Sequence, residues 1–225
     1  PIYGNNGRTE LVFVVDRSGS MGGLESDTIG GFNSMLSKQR TIAGECRVTT
    51  LLFDHRIETL HNHLDIREVN DLTSRDYWVR GSTALLDAIG LAIDRMIVTQ
   101  RHTAAAYRAQ HVLFVIITDG YENASRRYSL HQIKQMITYE RERYHWEFVF
   151  LGANIDAEQT AGDFGISPRC ATDFHADGQG IKASFEAVAC AATAVRGGAD
   201  LDDLSAPDFL GGVRDDYRSR RRMKR

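Results

Sequence analysis

The chain has 225 residues and a net charge of −3, with 42% hydrophobic and 25% charged residues, which suits one globular α/β domain. A core of this size needs no crosslinks, and the three cysteines are widely spaced and odd in number, so a disulfide-stabilised scaffold is excluded. No apolar run reaches the ~20 residues of a membrane span, and Pro1 to Asn6 show no secretory signal, so we expect a cytoplasmic protein that does not enter membranes.

Three apolar runs predict the central strands of a sheet. They are Leu11–Val15, Val112–Ile117 and Phe148–Leu151. Because their apolar residues are successive and not alternating, both faces must be covered, as in a parallel sheet. Residues 47–53 and 56–60 flank a tight turn at 54–55 and predict an antiparallel edge hairpin, and a short last strand is expected near 170–172.

Four segments between and after these strands have apolar residues at helical spacing, beginning near residues 29, 85, 130 and 181. Strands that alternate with helices predict an α/β fold with a doubly wound, mostly parallel sheet, one antiparallel edge strand and helices on both faces. After residue 197 Gly, Asp and Arg dominate. We therefore divide the chain into a domain over residues 1–197 and a disordered tail over residues 198–225.

The end of this tail is basic. Six of the last eight residues are Arg218, Arg220, Arg221, Arg222, Lys224 and Arg225. Without these six positive charges a chain of net charge −3 has a body near −9, which makes the domain a poor candidate for binding a phosphate backbone. Contact with nucleic acid is left open only for the tail, which we expect to be a solvated end.

Polar residues from three segments are predicted to meet at the carboxyl end of the sheet, where open α/β sheets bind ligands. Asp16, Ser18 and Ser20 follow the first strand, Thr83 precedes the second long helix, and Asp119 closes the fourth strand. Two carboxylates and three hydroxyls are hard oxygen donors, which suit Mg²⁺ or Mn²⁺ in a small site and suit zinc poorly. We therefore predict a metal site made of these five residues, with one position free for an anionic oxygen from outside.

This pattern resembles the metal-ion-dependent adhesion site (MIDAS) of von Willebrand factor type A (VWA) domains. The Asp-x-Ser-x-Ser motif at Asp16 is followed by a Gly-Ser-Thr-Ala-Leu block around Thr83 and an Ile-Thr-Asp-Gly block around Asp119. The resemblance covers about residues 8–196 and implies a Rossmann-like VWA fold. It implies that the three hydroxyls bind the metal and that the two carboxylates act directly or through water. The chain is similar to small bacterial cytosolic members, including the tellurium-resistance-associated group.

The resemblance implies a binding module and not an enzyme, in which the metal binds an Asp or Glu of a partner protein. An alternative is a phosphotransferase of the haloacid dehalogenase type that uses Asp16 as nucleophile. In that case Ser18 stands where the general acid is needed, and no Gly-rich phosphate loop with a Lys is present. A third hypothesis is an interaction protein whose metal only stabilises the fold.

Other residues are expected at the rim of the predicted site. The aromatic pair at 77–78 precedes Thr83, residues 121–123 follow Asp119, and Asn154 ends the last long strand. Each also has a structural interpretation, namely core packing for the pair, a solvated loop for 121–123, and capping of the following turn for Asn154.

Overall fold

A six-stranded sheet forms the centre of the computed structural model, which describes residues 7–223, with side chains described up to Arg221. Its strands are β1 (Thr9–Asp16), β2 (Cys46–Phe53), β3 (Ile57–Asp65), β4 (His111–Asp119), β5 (Glu147–Ala153) and β6 (Ala171–Asp173). Their spatial order is β3-β2-β1-β4-β5-β6, and only the β2–β3 pairing is antiparallel. The predicted doubly wound α/β fold with one antiparallel edge is confirmed.

Helices connect the strands and cover the sheet. They are α1 (Glu25–Arg40), α2 (Leu85–His102), α3 (Leu130–Tyr144), α4 (Ala157–Asp163), α5 (Gly178–Arg196) and α6 (Gly211–Met223). Helix α1 packs on α5, and α5 on α6, while α2 packs on α3 and against β1 and β2. Within residues 7–223, no helix combines the length and the apolar character that a membrane crossing requires.

The central strands explain the continuous apolar runs in the sequence. Strand β1 is buried along its whole length, and β4 is buried from Val112 onward. Neighbouring strands cover their edges and helices cover their faces, so an outward-facing polar position is left on neither strand. Polar residues are therefore confined to the strand ends, where Asp16 and Asp119 stand.

The residues after 197 differ from the predicted disordered tail. Helix α6 packs against α5 and β6. Leu201, Leu210 and Val213 are each at most 1% exposed. The composition of this segment is polar overall, but three well-spaced apolar side chains are enough to hold it on the domain. The expectation of disorder rested on this polar composition.

The basic residues of α6 also have acidic and carbonyl partners. Arg220 pairs with Asp177 at 2.5 Å and with Asp216 at 2.6 Å. Arg214 donates to the backbone carbonyls of Pro168, Arg169 and Ala171 at the start of β6. Lys224 and Arg225, which end the predicted basic tail, lie outside the described residues, as do residues 1–6.

Candidate metal centre

Asp16 is fixed at the end of β1 by donors from three segments. Its Oδ1 accepts a hydrogen bond from the backbone N–H of Ser18 at 2.6 Å. Its Oδ2 accepts from the Thr118 hydroxyl at 2.8 Å and from the backbone N–H of Asp119 at 3.1 Å. The Tyr77 hydroxyl donates to the Asp16 carbonyl at 2.6 Å. The carboxylate is fully buried, so its position is set by the fold and not by solvent.

The three predicted hydroxyl ligands form one connected group. The Ser18 and Ser20 Oγ atoms lie 3.0 Å apart, and the Thr83 hydroxyl donates to Ser18 Oγ at 3.1 Å. Ser20 Oγ also donates to the backbone carbonyl of Asp119. The structure therefore brings the loop after β1, the segment before α2 and the end of β4 together, and all five predicted residues lie in one cluster.

The two carboxyls of this cluster are buried without a compensating cation. In the described part of the chain, neither Asp16 nor Asp119 forms an ion pair within 4 Å. Burial raises the pKa of Asp16, although hydrogen bonds from Ser18, Thr118 and Asp119 oppose this effect. Burial also raises the pKa of Asp119, while the hydrogen bond from Asn154 Nδ2 to Asp119 Oδ1, at 2.6 Å, lowers it. Buried anionic groups of this kind are stabilised by a bound cation.

Thr83 is positioned by its neighbours and by a glycine. Asn123 accepts a hydrogen bond from the Thr83 N–H at 2.8 Å and returns one to its carbonyl at 3.0 Å. Gly81 has a φ of 67°, and a Cβ there would lie 2.2 Å from His55 Nδ1. Gly81 thus takes the left-handed conformation, and its carbonyl accepts the Gly19 N–H at 3.1 Å. Only glycine fits this position.

A buried ion-pair network links the loops next to the candidate ligands. Asp54 Oδ2 accepts from Arg17 Nε at 3.1 Å and from Arg80 Nε at 2.8 Å. Burial opposes ionisation of Asp54, but Arg80 and Arg17 hold its pKa below its ordinary value. The Arg80 and Arg17 guanidinium groups lie 4.4 and 5.3 Å from the centre of the Trp78 ring. Sequence reasoning missed this network, because nothing in the spacing of these residues indicates that they meet.

The residues expected at the rim divide into two kinds. Tyr77 is 1% exposed and belongs to the core, whereas Trp78 and Tyr121 are 41% and 63% exposed beside the cluster. Glu122 accepts the Leu86 N–H at 2.9 Å and so caps the first turn of α2. Within the group at 121–123, Glu122 and Asn123 therefore hold α2 and Thr83 in place, whereas the Tyr121 side chain is free at the surface.

The donor set fits a hard divalent cation. Within residues 7–223 no three or more His, Cys, Asp or Glu side chains gather as a metal site. This cluster instead combines two carboxylates with three hydroxyls, all of them oxygen donors. Such a set favours Mg²⁺-type ions, since soft metals prefer sulfur and imidazole ligands.

Known structures share the fold at low sequence identity. No protein-family model matches the sequence, and no curated protein matches it. A structure of proximal thread matrix protein 1 from the mussel byssus aligns with a TM-score of 0.55 and 15% identity over 82% of this chain. Another structure of that protein, with a zinc-occupied MIDAS motif, aligns with a TM-score of 0.55 and 13% identity over 84%. A mutant of the PilB minor pilin from Streptococcus sanguinis aligns with a TM-score of 0.58 and 13% identity over 92%.

The present chain spans less than the full length of these structures. The aligned region covers 46% of each mussel protein chain and 65% of the pilin chain. At these identities the likeness concerns the arrangement of strands and helices. It agrees with the six-stranded mixed sheet described above. The chain therefore has a von Willebrand factor type A-like fold.

Proposed function

We propose that this chain is a metal-dependent protein-interaction module. The divalent cation would be held by Asp16, Ser18, Ser20, Thr83 and Asp119 and would bind a carboxylate of a partner protein. The observation that supports this proposal is the meeting of five oxygen-bearing side chains from three segments at the carboxyl edge of the sheet. The zinc-occupied MIDAS motif in a structural neighbour also supports a divalent ion at a site of this kind.

The charge balance favours an acidic partner. Two carboxylates neutralise a divalent cation, and the three neutral hydroxyls leave it electrophilic. The cation would then offer a Lewis-acidic position that suits the Asp or Glu of another protein. We infer Mg²⁺ or Mn²⁺, because short hydroxyl side chains make a small all-oxygen site. The cytoplasmic location and the bacterial grouping expected from the sequence stay predictions.

We further propose that the chain is not an enzyme, and the surroundings of Asp16 support this. A phosphotransferase of the haloacid dehalogenase type needs a carboxylate oxygen that is free to attack phosphorus. Both oxygens of Asp16 accept hydrogen bonds, and the residue is fully buried. Ser18 occupies the place of the general acid, and its hydroxyl is too weak an acid for that role. Failure to hydrolyse an aryl phosphate in Mg²⁺ would agree with this proposal.

The proposal is tested by capturing partner proteins on the immobilised chain in Mg²⁺ and in EDTA. We expect a specific partner to be retained in Mg²⁺ and released by EDTA. The variant Ser20→Ala, which removes one predicted ligand, should fail to retain it. Ser82→Ala, which removes an exposed hydroxyl outside the predicted ligand set, is the matched control and should bind like wild type.

The same proteins distinguish this proposal from the hypothesis that the metal only stabilises the fold. A cation that binds only the folded state raises its stability by about 2.7 kcal/mol at a hundredfold excess over Kd. If Mg²⁺ raises the melting temperature but the partner stays bound in EDTA, the metal is structural and the binding proposal is wrong.

A further inference from the structure

A pocket with aromatic walls lies at the edge of the sheet opposite to the candidate metal centre. It has a volume of about 180 Å³ and is enclosed between the last turns of α2 and α3. Tyr139 and Tyr144 form one wall, with ring centres 6.0 Å apart and ring planes at 67°. Both rings are more than half exposed, whereas Trp146, which lines the inner wall, is 5% exposed. The volume admits the head group of a side chain and not a whole cofactor.

The end of α3 explains why these groups meet. His145 adopts a left-handed conformation with a φ of 55°, and the Trp146 N–H donates back to the Glu140 carbonyl at 3.3 Å. This reversal ends the helix and turns the chain back over its last turn. Trp146 then stacks on Phe114, with ring centres 5.5 Å apart. The indole is thereby fixed beside the Glu140 side chain.

Glu140 is the unusual group in this pocket. It lines the pocket and is 4% exposed. Among the side chains described, none donates a hydrogen bond to its carboxylate, and no cation lies within the 4 Å of an ion pair. Burial raises the pKa of Glu140, and Arg101 lowers it from a greater distance. No protein group donates to this carboxyl group, and its oxygens are not among the fully buried atoms that lack a partner, so they are open to a donor that enters the pocket.

The two helix ends beside the pocket also favour a positive ligand. The carbonyl ends of α2 and α3 both carry partial negative charge, which stabilises cations near the last turn. Two arginines line the pocket, Arg101 and Arg108. Arg108 is already engaged, because its Nε donates to the Thr103 carbonyl at 2.9 Å. Arg101 is exposed at the pocket mouth and is the residue that competes with an external ligand.

We propose that this pocket binds a guanidinium group from outside the chain, with Glu140 accepting its N–H groups and one of the two tyrosine rings stacking on its plane. A guanidinium is planar, donates two parallel hydrogen bonds to a carboxylate and stacks on aromatic rings. A quaternary ammonium would be attracted to the same rings, but it has no N–H to satisfy Glu140. The group can come from an arginine of a partner protein or from a small guanidinium compound.

The test follows the indole N–H signals of the two tryptophans by NMR during titration with methylguanidinium, in EDTA so that the metal centre has no part in it. We expect the Trp146 signal to shift in a saturable manner, with a Kd on the order of 1 mM, while the Trp78 signal stays in place. N-methylurea has nearly the same shape but no charge, and it should cause no saturable shift. An equal response to both compounds, or none to either, would overturn the proposal.

Variants separate the carboxylate from general effects. Glu140→Gln should weaken methylguanidinium binding at least tenfold. Glu142→Gln, which removes an exposed charge two residues further along α3, is the matched control and should bind like wild type. Thermal melting checks that both variants are folded, and Tyr144→Leu provides a second test through loss of a ring. If Glu140→Gln is folded and binds normally, the carboxylate has no part and the proposal fails.

Two further measurements define the ligand. Arg101→Ala should bind methylguanidinium somewhat more tightly, because a competing cation is removed. Binding that appears only in this variant would mean that Arg101 itself fills the pocket, and the proposal would be wrong. Arginine capped at both ends by amides represents an arginine within a protein. Binding at least as tight as that of methylguanidinium supports a partner's arginine, and weaker binding supports a small guanidinium compound.

Discussion

At the scale of single residues, the two carboxylates of the candidate metal centre are held in different ways. Asp16 accepts hydrogen bonds from Ser18, Thr118 and the Asp119 backbone, so both of its oxygens are used by the fold. The only hydrogen bond described for the Asp119 carboxylate comes from Asn154 Nδ2. Asp16 therefore has a structural role in addition to its predicted role as a ligand. The Asp119 carboxylate is used less by the fold and is chiefly available to a cation.

This difference predicts opposite effects of the same substitution. In EDTA, Asp16→Asn should lower the free energy of unfolding by about 1.5–3 kcal/mol, because an NH₂ group then faces an existing donor. Asp119→Asn removes one of two uncompensated negative charges and should be as stable as wild type or more stable. Its stabilisation by Mg²⁺ should be much smaller than that of wild type. Thermal melting of the three proteins, with and without Mg²⁺, checks both effects. Equal destabilisation by the two substitutions would contradict this assignment of roles.

The meeting of the five proposed ligand residues could be predicted from the sequence, because short motifs at strand ends have a fixed place in the fold. The doubly wound order brings the ends of β1 and β4 together. The spacing of two residues between Asp16, Ser18 and Ser20 lets their side chains point the same way. The partners of these residues could not be predicted in the same way. Thr118, Asp54 and Arg80 act through long-range contacts, which leave no periodic signal in the sequence.

At the scale of elements, the contact between α1 and α5 depends on one of two adjacent glycines. A Cβ on Gly30 would meet no atom within 4 Å, whereas a Cβ on Gly31 would lie 2.4 Å from the Phe185 ring and 3.2 Å from its Cβ. Phe185 is 2% exposed and cannot move aside without disturbing its neighbours. The same change at these two positions therefore has different consequences.

We expect Gly30→Ala to stabilise the protein by about 0.5–1 kcal/mol, because alanine loses less backbone entropy in a helix. Gly31→Ala gains the same entropic stabilisation but forces α1 away from α5. We therefore expect this substitution to lower the free energy of unfolding by about 1–3 kcal/mol. Urea unfolding of both variants measures the difference, and each variant is the control for the other. A gain in stability at both positions would show that α1 and α5 pack less closely than described.

Helix α6 is a second element whose contribution can be measured. It contributes the buried Val213 and the hydrogen bonds of Arg214 and Arg220 to α5, β6 and the segment before them. Deletion of residues 211–225 should lower stability by about 2–4 kcal/mol, which for a protein of this size is roughly 5–15 °C in melting temperature. Leu204→Ala, at a side chain 85% exposed in the segment that precedes α6, should have almost no effect. An unchanged melting temperature after the deletion would restore the expectation of a disordered tail.

The sequence predicted the long elements and missed the short or compositionally unusual ones. β1, β4 and β5 are buried on both faces, so their apolar runs identify them directly. The seven-residue α4 is too short to show a helical period, and α6 is rich in arginine with few apolar positions. The place of α6 in the fold depends on hydrogen bonds to Asp177 and to the carbonyls near β6. Only the tertiary structure brings these partners together.

At the scale of the whole molecule, carboxyl groups with shifted pKa values make stability depend on pH in two directions. Ion pairs and hydrogen bonds hold the pKa values of Asp54, Asp65 and Asp177 below their ordinary range, so their contribution is lost as the pH falls. Burial raises the pKa values of a second group of carboxyls, and their effect is the reverse. Glu147 belongs to this second group.

Burial, together with Asp200 and Asp202, raises the pKa of Glu147 to about 7. The carboxyl is protonated in both states below its ordinary pKa near 4.5, and only there is its full contribution to stability present. As the pH rises to about 7, the unfolded chain ionises first, and the folded state loses stability relative to it. One pKa unit corresponds to about 1.4 kcal/mol, and partial solvation of this group reduces the total to about 1–3 kcal/mol.

We therefore expect wild type to lose stability relative to Glu147→Gln between about pH 4.5 and 7, with a constant difference above this window. Urea unfolding at several pH values, in EDTA throughout, measures the difference between the two proteins and removes contributions that they share. Glu142→Gln, at an exposed carboxylate on α3, is the control and should show no such window. A difference that is constant from pH 4 to 8 would mean that Glu147 is ionised in the folded protein at acidic pH, so that Asp200 and Asp202 do not act on it as described.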